Sequence, residues 1–107
     1  MQATDYCIAK RLELLSIANK VLHGQINPIE GIRKINALRY DIGDSENEVF
    51  LPIRGIDSET DHFPLGTVRK NWDIVALKEI DDEMESYLLK AKNDIFQSCQ
   101  EIIQTFS

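Results

Sequence analysis

The run Met84-Glu85-Ser86-Tyr87-Leu88-Leu89-Lys90-Ala91-Lys92-Asn93-Asp94-Ile95 sets the architecture of this chain. Met84, Leu88, Ala91 and Ile95 are spaced by four, three and four residues, and the pattern continues through Ser98 to Ile102. Ile80, Tyr87, Cys99 and Phe106 fall on the same side. This is the period of an α-helix with a narrow apolar stripe, the form of a bundle seam. One unbroken helix over residues 74–106 would be about 50 Å long at 1.5 Å per residue. A compact chain of this size has a radius of gyration of about 13 Å. A break near residues 79–82 is therefore expected, with Asp81 or Asp82 capping the final helix.

Residues upstream supply the helices that such a seam needs. Asn27-Pro28-Ile29-Glu30 is a strong start signal: Asn27 caps, Pro28 suits the first helical position, and Glu30 reaches back to the cap. The helix runs to about Tyr40, burying Ile29, Ile32, Ile35 and Leu38, and Gly43 closes it. Residues 5–23 read as another helix, capped by Thr4 or Asp5 and ended by Gly24. Ile8, Leu12, Leu15, Ala18 and Leu22 recur at helical spacing, and Leu14, Ile17 and Val21 widen the apolar arc past half the circumference. A helix so apolar is wedged between others. His23, in its last turn, faces the negative end of the helix dipole. The short connection makes the first two helices an antiparallel hairpin.

The expected fold is all-α: one domain over residues 1–107, a compact antiparallel bundle of about four main helices. An irregular connection covers residues 43–66. Residues 43–48 are a polar loop, and Val49 to Ile56, interrupted by Pro52, reads as an irregular or short helical segment. Gly66-Thr67 opens a further short helix with Thr67 as cap.

Composition excludes several classes. The apolar and charged shares, 43% and 28% of 107 residues, are ordinary for a soluble globular protein. No apolar run approaches the roughly 20 residues that span a bilayer, and the first residues lack the pattern of a signal peptide. A cytoplasmic location is expected. Cys7 and Cys99 have no CxxC spacing, and with only His23 and His62 they make no zinc site. They read as small buried hydrophobes. No cofactor is expected.

The net charge of −6 comes from two stretches. Residues 44–61 carry Asp44, Glu46, Glu48, Asp57, Glu59 and Asp61 against Arg54. Residues 73–85 hold Asp81, Asp82, Glu83 and Glu85 with Asp73 and Glu79, against Lys78. Such patches repel nucleic acid and anionic membrane and attract basic proteins. The bland reading is a solvated acidic face that keeps the protein soluble.

The densest chemistry lies in Asp57-Ser58-Glu59-Thr60-Asp61-His62-Phe63-Pro64-Leu65-Gly66, followed by Arg69 and Trp72. Asp57, Glu59 and Asp61 alternate like the first ligands of a calcium loop. His62 stands where that loop needs glycine, and Val68 where it needs a bidentate glutamate. Ser58, His62 and an aspartate within five residues give no triad geometry, and no Gly-rich oxyanion loop accompanies them. The chain is read as a non-enzyme. Ser58, Thr60 and the aspartates suit side-chain-held turns. Arg69 has Asp57, Glu59 and Asp61 as candidate fork partners.

This segment, with its Pro64, Gly66, Arg69 and Trp72, resembles the signature of a family of small bacterial all-helical proteins. The family is similar to immunity proteins of contact-dependent inhibition and polymorphic toxin systems. The matched motif covers about residues 56–72, with Phe63 where leucine is more usual. The resemblance implies a cytosolic protein that neutralises a toxin's C-terminal domain, with motif residues Ser58, Thr60, His62, Pro64, Gly66, Arg69 and Trp72. Many such toxins are basic nucleases, so the acids of the two stretches are the expected contacts. Two alternatives stand beside this reading. One is a metal- or ligand-binding protein using residues 57–62, and the other is a structural subunit.

Overall fold

A computed structural model describes residues 4–107. Four α-helices, α1 (Asp5–Leu22), α2 (Pro28–Asp41), α3 (Leu51–Thr60) and α4 (Ile74–Phe106), account for most of the chain. Short 3-10 turns cover Glu48–Phe50 and Gly66–Asn71, and the described residues contain no strand. The architecture is the expected all-α bundle.

Side-chain caps fix the starts of three helices. The Thr4 hydroxyl accepts from the Cys7 amide at 3.1 Å. Asn27 Oδ1 accepts from the amides of Ile29 and Glu30, with Pro28 in the first turn. Asp73 accepts from the Ala76 amide. Each cap satisfies an amide that the first turn leaves without a partner. At the end of α1, His23 Nδ1–H donates to the Asn19 carbonyl at 2.7 Å, so the expected capping role is the one His23 plays.

α1 and α2 form an antiparallel hairpin that closes on one tight contact. A Cβ placed on Gly31 would lie 2.3 Å from Val21 Cγ2, so only glycine lets the two helices approach this closely. The main core gathers Leu14, Ile17 and Val21 of α1 with Ile32, Ile35 and Leu38 of α2. α3 adds Ile53 and Ile56, and α4 adds Ile95, Cys99 and Ile102. Phe50 stacks on Phe106 at 5.6 Å and closes one end. Each such side chain contributes about 1.5–3 kcal/mol by leaving water.

The buried stripe of α1 differs from the expected one. Leu14, Ile17, Ala18 and Val21 are inside, whereas Ile8 and Leu12 are 49% and 63% exposed. The apolar arc is wider than the surface that α2 and α4 cover, and the 8–12 edge of it faces solvent.

α4 has no break. It runs 33 residues along the whole 51 Å length of the molecule, and the radius of gyration is 14.8 Å. The reason is a second, smaller core of Ile29, Phe63 and Met84, with Leu65, Ile80, Tyr87 and Leu88 around it. This cluster supports the first half of α4, so that half does not fold back. Asp81 is mid-helix and caps nothing.

The connection between α2 and α4 is also more regular than expected. Pro52 sits in the first turn of α3, where its missing N–H has no helical partner to lose. Asp57 to Thr60 form the last turn of this helix. Thr67 does not cap the following 3-10 turn; Leu65 stands at that position without a side-chain bond. No described helix is long and apolar enough to cross a membrane. Both cysteines are free, Cys99 fully buried and Cys7 half-buried. Burial pushes the Cys99 thiol up to about 11.

Candidate partner-binding face

The motif residues build a corner between α3 and α4. α3 ends with the Thr60 hydroxyl donating back to the Ile56 carbonyl at 2.7 Å. The chain then turns through Asp61 and His62 and drops Phe63 and Pro64 into the interior. Arg33, from α2, donates to the carbonyls of Thr60 and Phe63, both at 2.6 Å. One guanidinium therefore bridges two carbonyls of the turn that follows the helix, Thr60 O also accepting from the Phe63 amide at 3.1 Å. Gly66 has φ of +68°, a left-handed turn that admits glycine without strain. Arg69 then reaches back to the Pro64 carbonyl at 3.1 Å.

Arg69 does not pair with Asp57, Glu59 or Asp61. Its fork closes on Asp81 of α4, at 2.8 and 2.7 Å. The hydrogen-bonded guanidinium holds the Asp81 carboxyl below the usual range, and Asp81 in turn raises Arg69. Asp57 instead accepts from Asn36 of α2 at 2.8 Å. Glu59 accepts from the Tyr87 hydroxyl at 2.8 Å. His62 stacks beside Phe63 at 4.2 Å and donates through Nε2–H to Glu83 at 3.0 Å. Burial and the Glu59 bond push Tyr87 up to about 12.

The helical setting of residues 57–60 disperses the supposed ligands of a metal site. Positions two apart on a helix point about 200° apart, and Asp57 and Glu59 accordingly face α2 and α4. No group of three or more His, Cys, Asp or Glu among the described residues is arranged to hold a metal ion. Ser58 is exposed on α3, and Trp72 is 39% exposed after the 3-10 turn.

The ten predicted contact acids do not form two compact patches. Within residues 44–61, Asp44, Glu46 and Glu48 precede α3, whereas Asp57 and Glu59 lie in its last turn and Asp61 just beyond it. Glu46 lies 3.8 Å from Arg39 and 3.6 Å from Arg54, and Asp44 accepts from Asn47. In α4, Asp81 faces Arg69 and Glu83 faces His62, while Asp82 and Glu85 point to solvent. Neighbours in sequence are spread around the helix. What the fold does bring together is Glu59 and Glu83, from the two different stretches, at one α3–α4 corner.

An open groove of about 600 Å³ runs on from that corner between α3 and α4. Pro52, Gly55, Ile56 and Ala91 make it apolar. Glu59, Asp94 and Glu101 line it against the single cation Lys90. Asp94 and Glu101 were not among the contacts expected from sequence. Their signal was the polar series 87, 90, 94, 97 and 101, one helical face beside the core stripe.

Comparison with protein-family models, with curated proteins and with solved structures finds no match to this chain.

Proposed function

We propose that this chain is a binding protein that neutralises a cognate, basic toxin domain in the manner of an immunity protein. The observation that carries the reading is the α3–α4 face. Glu59, bonded to Tyr87, and Glu83, bonded to His62, flank the corner, and Asp94 and Glu101 follow along the same side of α4. The corner is tied by Arg33, Arg69 and Tyr87, so the carboxylates are held on a firm scaffold. A basic nuclease-like domain presents cations where it holds phosphate, and fixed carboxylates occupy that site in place of nucleic acid. Complementary charge also speeds capture. No catalytic step is assigned to any residue.

The test is co-expression with the C-terminal domain of the adjacent upstream gene's product. The reading expects that domain to arrest growth alone, and this protein to restore growth and co-purify with it. An arrest that this protein does not relieve contradicts the reading, as does the absence of any arrest or complex.

A second reading, a subunit of a larger assembly, is favoured by the apolar start of α4. Ile74 and Val75 are 84% and 66% exposed, and Val68 and Trp72, shortly before them in sequence, are exposed as well. Sedimentation of the purified protein at low concentration separates the two, since a stable self-associated species supports the subunit reading.

A further inference from the structure

The groove between α3 and α4 has a shape and charge of its own, and the geometry points to its occupant: a cationic amphipathic helix presented by the partner. This inference deepens the reading above and names the element that the protein would hold.

Three observations converge on it. The groove has an apolar lining at Ile56 and Ala91, beside the buried Ser98. It is also open along α3, because Gly55 lines it there and a Cβ on that residue would meet nothing within 4 Å. A missing side chain between two helices lets a third backbone approach closely. Finally, the carboxylates of Glu59, Asp94 and Glu101 outnumber the one ammonium, Lys90. Lysine or arginine side chains fit this arrangement: their methylene stems pack on the apolar surface and their charged heads reach the carboxylates.

Length agrees with a helical occupant. The stretch from Tyr87 to Glu101 is about 21 Å of helix, or four turns. A helix laid along it places cations on one side at spacings of three and four residues. An anionic helix would meet uncompensated like charge and is excluded from the same groove.

Two kinds of variant test the assignment. Gly55→Leu puts a side chain into the groove from a position where a Cβ meets nothing within 4 Å. Glu59→Gln with Asp94→Asn and Glu101→Gln removes the charge, and the glutamine oxygen still accepts from Tyr87. Glu13→Gln with Glu30→Gln is the control, since those acids lie on α1 and α2 and do not line the groove. Circular dichroism melts establish that each variant is folded.

The first arm measures binding to the co-expressed toxin domain. Gly55→Leu and the triple variant are expected to weaken the complex about tenfold or more, with the control unchanged. A complex that forms equally well with all three variants overturns the groove assignment and leaves the neutralising function standing.

The second arm needs no toxin. A fluorescent amphipathic peptide of about four helical turns, built from Leu, Ala and Lys, is titrated into the wild-type protein and the variants. Saturable binding is expected, lost in Gly55→Leu and abolished in wild-type protein at about 1 M salt, where charges are screened within about 3 Å. The same peptide with Glu in place of Lys should not bind. Binding that Gly55→Leu leaves intact shows only general attraction to an acidic protein and overturns the inference. If no toxin is found in the first arm, this second arm alone decides the groove.

Discussion

Arg69 and Asp81 close a two-bond fork, at 2.8 and 2.7 Å, between the 3-10 turn Gly66–Asn71 and the first quarter of α4. The same guanidinium holds the Pro64 carbonyl. The motif segment is thus fastened to α4 from both sides, by Arg69–Asp81 at one place and Glu59–Tyr87 at the other.

The fork makes stability depend on acid pH. Asp81 has a folded-state pKa below its unfolded value near 3.9. Its contribution is present above about pH 4 and is lost as pH falls through the folded value. Denaturant melts of the wild-type protein and Asp81→Asn should therefore differ at neutral pH and converge as the pH falls below 4. Parallel curves that never converge would show that the pair contributes nothing through ionisation.

Arg33 anchors the corner from the other side. Replacing it with alanine removes the charged donor from the carbonyls of Thr60 and Phe63. The expected loss is about 1.5–3 kcal/mol of unfolding free energy, the range for hydrogen bonds to a charged group. Lysine should recover only part of it, because an ammonium lacks the planar fork. A chemical-denaturation midpoint equal to wild type in Arg33→Ala would refute this anchoring role.

Two glycines should respond oppositely to alanine. Gly31→Ala forces a Cβ to within 2.3 Å of the stiff, buried Val21 side chain, an overpacking cost of about 1–3 kcal/mol. Gly55→Ala meets no atom and gains helix propensity, about 0.5–1 kcal/mol. Thermal melts of the two variants should move in opposite directions, and Val21→Ala should relieve part of the Gly31→Ala loss.

The Tyr87–Glu59 bond leaves a spectroscopic mark. A phenol pushed up to about 12 ionises late in an alkaline titration followed by absorbance. The late step should vanish in Tyr87→Phe and move to lower pH in Glu59→Gln, which keeps an acceptor but removes the nearby charge. The sign on stability follows: the folded state holds this proton more tightly, so stability falls as pH rises from about 10.

Local chemistry was readable in the sequence wherever a few adjacent residues suffice. Asn27-Pro28 marked a helix start, and the Met84 to Ile102 spacing marked the seam, whereas the true cap of α4, Asp73, was passed over for Asp81 or Asp82. The continuity of α4 was not readable, because its support is a core of Ile29, Phe63 and Met84 drawn from three distant segments. The partner of Arg69 was missed for the same reason: nearer acids existed in sequence, but the helix that carries Asp57 and Glu59 points them at Asn36 and Tyr87. The groove acids were hidden by summing charge along the chain. Lys90 and Lys92 cancel Asp94 and Glu101 in the sum, yet Lys92 lies over the Phe96 ring, 5.5 Å from its centre, and does not line the groove.

The central claim is that the α3–α4 face receives a basic partner. Amide hydrogen exchange of the complex with the toxin domain, compared with the free protein, maps the contact without mutation. Slowed exchange along residues 52–62 and 83–101 is the predicted footprint. Protection confined to other elements, such as the exposed edge of α1 at Ile8 and Leu12, with α3 and α4 unchanged, would contradict the account.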